Sequence, residues 1–183
     1  MRAFFGCFAV TLVGLCACDT THFLSGRYSS DVLGGFDVAP DTQSELPFSG
    51  LSEMTLELIL GHYGGEVAGL IKFFGPSHER CGCVKLENGR YHSSSGVVSF
   101  SMMIPESCSS SISQCTALCM VESLSAELRP TPTGLEGTYT ITRGSLRVQK
   151  KLEVKKTAEL KEVPNEELSC EAFDIQYPRE QSY

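Results

Sequence analysis

At 183 residues, with 42% hydrophobic and 20% charged residues, the chain has room for one domain with a real core. Its net charge of −7 argues against a nucleic-acid partner, because a negative chain releases no counterions from a polyphosphate. There is no tryptophan, and the ten phenylalanines and six tyrosines follow no stacking motif.

Met1–Arg2 supplies a short positive start, and Ala3 to Leu15 is an uncharged run. That run is shorter than the ~20 apolar residues a membrane-spanning helix needs. A positive start, a short apolar stretch and small residues at its exit make a secretory signal. The sequence Leu15–Cys16–Ala17–Cys18 then resembles the cleavage site of bacterial lipoproteins, with an aliphatic residue three before a cysteine and a small one directly before it. The resemblance implies that residues 1–17 are removed and that Cys18 becomes the lipidated first residue. It also implies a bacterial cell-envelope location, periplasmic or outer-surface, with the membrane as partner through the anchor. Each buried CH₂ contributes roughly 0.8 kcal/mol, so two or three acyl chains hold a protein on a membrane almost permanently. Residues 18–50 are polar and rich in Gly, Ser and Pro, which predicts a spacer with a possible first strand at "GRYSSDVL".

From residue 51 to residue 163 the pattern is that of an antiparallel β domain. Met54, Leu56, Leu58 and Leu60 alternate with Thr55, Glu57 and Ile59, as a half-buried strand requires. After "HYGG", a turn signal, Val67, Gly69, Ile71 and Phe73 share one face. Asn88–Gly89 predicts a tight hairpin turn. Val98, Phe100, Met102 and Ile104 form the next apolar face, and Pro105 ends it. Residues 106–119 break the alternation and predict a long loop with one helical turn at "SQCTALC". Strands return with Leu124, Ala126 and Leu128, then Leu135, Gly137, Tyr139 and Ile141. Leu146, Val148, Leu152 and Val154 make a last strand, whose apolar face Lys150 interrupts; a helix over 149–163 is the weaker reading. Residues 164–183 read as a tail pinned by Cys170.

Short alternating strands with glycine turns predict an all-β fold, an antiparallel meander forming a small barrel or sandwich. The unit "LELILGHYGGEVAGLIKFF" is repeated loosely by "LSAELRPTPTGLEGTYTI". This resembles the successive hairpins of lipocalin-like barrels among bacterial lipoproteins.

Of the nine cysteines, processing removes Cys7 and Cys16, and lipid consumes Cys18. Cys81, Cys83, Cys108, Cys115, Cys119 and Cys170 remain, and an exported protein predicts three disulfides among them. Cys81 and Cys83 are two apart, so a regular strand points both to one face and sends them to separate partners, drawn from the 108–119 loop or Cys170. Neither close pair has the CxxC spacing of a structural zinc knuckle or a redox pair, and no metal or cofactor is expected.

Catalytic constellations are not legible. The four histidines, 22, 62, 78 and 92, lie near expected turns or the spacer, without HExxH or GxSxG spacing. His62 and His78 read as exposed turn residues. Glu66 and Glu79 have no evident partner carboxylate, and serines 93–95 and 109–111 read as loop composition. The expected function is therefore a non-catalytic binding or structural role in a lipid-anchored envelope protein, with another envelope protein as partner. The alternative is a barrel enclosing a small apolar ligand. The two differ in whether Leu58, Phe100 and Tyr139 fill the centre.

Overall fold

Period-2 alternation builds nine strands in the computed structural model, which describes residues 23–30, 50–51, 53–104, 115–160 and 169–171. They are β1 (Gly26–Ser30), β2 (Thr55–Tyr63), β3 (Glu66–Phe74), β4 (Arg80–Lys85), β5 (Glu87–His92), β6 (Val97–Met103), β7 (Ser123–Pro130), β8 (Gly134–Arg143) and β9 (Leu146–Glu159). One helical turn, α1 (Thr116–Cys119), precedes β7. The leader, Cys18, His22, Cys108 and serines 109–111 lie outside the described residues.

All pairings are antiparallel; most join neighbours along the chain, while β3 also pairs with β5 and β1 pairs with both β2 and β9. The sheet thereby closes into an eight-strand meander barrel of β1, β2, β3, β5, β6, β7, β8 and β9, with β4 added along β3. The expected apolar faces all point inward. Leu56, Leu58, Leu60, Phe73, Val98, Phe100, Leu128, Tyr139 and Ile141 belong to one core cluster. Leu146 packs against that core and Val148, Leu152 and Val154 are buried in it, so the last segment is strand to Glu159 and not helix.

The two similar hairpins share a structural reason. Gly69 pairs with Leu60 in the first, and Gly137 with Leu128 in the second. A Cβ on either would lie 2.0 Å from a carbonyl oxygen of the preceding strand, that of Ile59 or of Glu127. The neighbouring backbone passes too close there for any side chain, and a glycine at such a point lets a small barrel turn its corner.

Asn88–Gly89 does not make the hairpin turn its sequence suggests. Glu87 pairs with Ser101 and Arg90 with Ser99, so the Asn–Gly pair stands opposite a single residue inside a strand. Asn88 takes φ 53°, and the pair forms a bulge. The chain has no reason to reverse at this point, since β4 and β5 run in one direction along the same neighbour, β3. The left-handed residue bends the path instead.

The upper rim of the barrel carries the turns at Gly64–Gly65, Ser93–Gly96 and Thr131–Thr133. Leu51, Met54, Leu118 and Val121 close the lower end and belong to the core. α1 sits against glycines there: a Cβ on Gly50 would lie 2.8 Å from Ala117, and one on Gly82 2.7 Å from Leu118. A second, outer cluster covers β2 and β3, where Ile59, Leu70 and Leu160 pack with Cys83 and Cys170. Ile59 and Glu57, read from sequence as the polar side of a half-buried strand, are only 0% and 2% exposed. Leu160 and Cys170, after the last strand, return over them.

Gly69→Ala and Gly137→Ala are expected to cost about 2 kcal/mol or more each, because backbone must move to admit the methyl. Gly65→Ala, in the open upper turn with nothing within 4 Å, should stay within about 0.5 kcal/mol of the parent. Urea unfolding of the three variants separates a corner requirement from a general dislike of substituting glycine.

Candidate functional site

Cysteine chemistry organises the lower and outer parts of the barrel. Phe73 pairs with Gly82 and Phe74 with Arg80, so Cys81 is an extra residue bulging from β4. The bulge breaks the alternation, and Cys81 and Cys83 leave opposite sides of the strand instead of one face. Cys81 packs on the main core and bonds Cys115, the residue capping α1, with Cα atoms 5.0 Å apart. Cys83, opposite Lys72, lies in the outer cluster and bonds Cys170 at 6.1 Å. Separate partners are thus reached by a different route from the one the spacing implied. Cys119 is also disulfide-bonded. Each cross-link restricts the unfolded chain and typically contributes about 2–4 kcal/mol.

Metal ligation competes with these bonds. One carboxylate oxygen of Glu79 and the sulfurs of Cys81 and Cys115 lie within 4.8 Å of one another. Both sulfurs are consumed by the disulfide, which leaves no thiolate to bind an ion.

The histidines are dispersed. His62 is not an exposed turn residue but is 1% exposed, on the inward face near the upper end of β2. Its ring meets Phe23 and Tyr91 edge-on at 5.1 and 5.2 Å, and those two rings meet each other at 5.2 Å. Its backbone N–H donates to Ser25 Oγ at 2.9 Å. The inward period of Leu56, Leu58 and Leu60 continues to position 62, and an aromatic lid there makes burial possible. His78 is exposed, with φ 63°. His92 is exposed at the end of β5 and shares a 2.9 Å hydrogen bond with Ser99. Glu66 is exposed and pairs with Arg90 at 3.1 Å.

The centre of the barrel is filled. Leu58, Phe100 and Tyr139 are 0%, 2% and 1% exposed. Tyr28 donates its hydroxyl to the Leu24 carbonyl at 2.8 Å. The hydroxyl of Tyr139 is buried, with no hydrogen-bond partner among the described residues. Burial pushes the Tyr139 phenol up to about 12, and it does the same for Tyr28, with the charge of Glu159 adding to the effect.

Outside, β6 to β9 carry an open trough of about 790 Å³. Its lining follows from register. Glu127, Thr138 and Lys151 form one cross-strand row, and Arg129, Glu136 and Glu153 form the next. The two rows project three carboxylates and two cations around Thr138, whose Oγ1 accepts from Gln149 at 3.3 Å. Such a surface can hold a polar partner by ion pairs and hydrogen bonds. Each of these residues is visible in the sequence as the outward half of a strand, but their convergence is not.

The two buried tyrosines carry a pH signature. Their folded pKa values lie above the ordinary value near 10, so stability is complete below pH 10 and falls as pH rises from there through about 12. Absorbance titration should show Tyr28 and Tyr139 ionising late, together with loss of structure. Tyr139→Phe should remove one of the two and leave stability equal or about 1 kcal/mol higher, because it deletes an unpaired buried hydroxyl.

No family model, curated protein or solved structure matches the chain.

Proposed function

We propose that the protein is a lipid-anchored module of the bacterial cell envelope, held by Cys18, that acts through its outer surface in a binding or structural role and without catalysis. The filled centre supports this reading over a container: Leu58, Phe100 and Tyr139 occupy the space a ligand would need. The disulfides favour a non-reducing compartment, consistent with export. The charged trough on β6 to β9 is the surface best suited to a partner.

A barrel that takes a small ligand is the second reading, and one observation favours it. A polar atom on a guest would satisfy the hydroxyl of Tyr139, although the packing around the ring would have to open first.

Intact-mass measurement of protein extracted from membranes should show residues 1–17 removed and acyl chains on Cys18. Cys18→Ser should release the chain from the membrane fraction. Retention of Met1 or a bare N-terminus would refute the anchor. An environment-sensitive apolar dye should show no saturable binding to the native protein; stoichiometric uptake abolished by a bulky substitution at Ala126 would favour the container.

A further inference from the structure

We propose that the upper rim of the barrel, marked by Phe23 and Lys156, rests on the surface of the membrane that holds the anchor, with the barrel axis upright and α1 directed away from the bilayer. The inference rests on the lipid-anchor reading and adds an orientation and a contact surface to it.

Chain length is the first constraint. Phe23 is already part of the fold, its ring against His62 and Tyr91 and its carbonyl accepting from Lys156 Nζ at 3.4 Å. Leu24 is 1% exposed and β1 begins at Gly26. Only Asp19 to His22 therefore separate the lipid-bearing residue from the packed domain. Five Cα steps, fully stretched, reach about 18 Å. A nine-residue strand tilted in a barrel rises roughly 20–25 Å along the axis. The tether starts from the upper rim, so it cannot run back past the barrel to set the lower end on the bilayer.

Surface chemistry is the second. Phe23 is 43% exposed, one of two large apolar side chains exposed among the described residues, and it sits where the tether enters. An exposed phenylalanine can bury its ring at the headgroup–acyl boundary, as the apolar faces of interfacial segments do. The neighbouring turns are Gly64–Gly65, Ser93–Gly96 and Thr131–Thr133, small and hydroxylated. Two carboxylates at this end are paired, Glu66 with Arg90 at 3.1 Å and Glu159 with Lys156 at 3.4 Å, and Glu136 stands across from Arg129 a little below the rim. Lys155 adds an exposed cation alongside. A chain of net charge −7 thus presents to an anionic surface an end that does not repel it.

The chain's lack of tryptophan supplies the test, since a single introduced indole becomes the only one. Ser94→Trp places it in an upper turn and Ser145→Trp in a lower one; both sites are exposed. The acylated full-length variants are reconstituted in vesicles of phosphatidylcholine and phosphatidylglycerol containing a headgroup spin-labelled lipid. Quenching of Ser94→Trp fluorescence by twofold or more, with under a tenth lost from Ser145→Trp, is the expected result. Equal quenching at both positions, or stronger quenching at Ser145→Trp, would overturn the orientation. The mass of the same samples separates the two levels: acylated protein with the wrong quenching pattern sinks the orientation alone. Unacylated protein that stays off the vesicles sinks the anchor and the orientation with it.

Discussion

Closure of the sheet depends on β1, which at five residues is the shortest of the described strands, and which pairs with β2 on one side and β9 on the other. Without it both neighbours would become edges, each presenting a row of unpaired backbone groups. Several interactions hold so short a segment. Tyr28 is buried in the core and donates to Leu24, while Ser25 accepts from His62 across the rim. Gly26 fits against β9 so closely that a Cβ would lie 2.6 Å from Lys156 and 2.9 Å from the Ala158 carbonyl. Arg27 forms an ion pair with Glu57 at 3.1 Å, their side chains 14% and 3% exposed. The net gain from such a pair is small against apolar residues of equal volume, yet loss of one partner strands a buried charge. The pair therefore ties β1 to β2 more by the cost of misplacing it than by attraction.

That burial is itself a consequence of the outer cluster. Leu160 and the Cys83–Cys170 bond cover β2 and β3 from outside, so both faces of these strands are shielded from water. Glu57 stands directly across from Lys72 in the shielded layer, and Lys72 is 3% exposed. Opposite charges at facing positions suit a sheet, and low surrounding polarity strengthens their attraction. At the lower end the Cys81–Cys115 bond holds α1 across the opening. One bulged strand, β4, thus anchors two different closures, one for the core and one for the outer layer. A regular strand with the same sequence spacing would have directed both sulfurs to one of them.

The inward faces were readable from sequence because a barrel wall has one dry and one wet side, and alternation reports that directly. The repeated placement of Gly69 and Gly137 was readable for the same reason: each bend is local to its hairpin. Where the reading departs from the structure, the cause lies far along the chain. Asn88–Gly89 suggests a turn only if the following segment needs to reverse, and β3 had already set its direction. His62 lies beside a turn in sequence, but Phe23 and Tyr91 come from elsewhere to cover it. Glu57 and Ile59 belong on the wet side until Leu160 and Cys170 arrive. The trough is the same problem in functional form. Its outward residues are plain in each strand, whereas the row joining Glu127 to Lys151 exists only once the register of three strands is known.

Under the proposed surface role, function falls to the outer wall, and the geometry divides that wall unequally. The face over β2 and β3 is occupied by the chain's own Leu160 and Cys170. The upper rim, under the proposed anchoring, is taken by the bilayer, and the lower end by α1. The wall of β6 to β9 is left, and its trough runs alongside the barrel, not across either end. Arg129 and Glu136 face each other two positions from the upper turn, about 7 Å along the strands from the rim. An upright barrel would keep this trough open to the side and close to the membrane surface. Its ion-pairing groups would then meet a partner that approaches along the membrane surface, and mixed charges such as Arg129, Glu136 and Glu153 would select it by complementarity of pattern and not by net attraction.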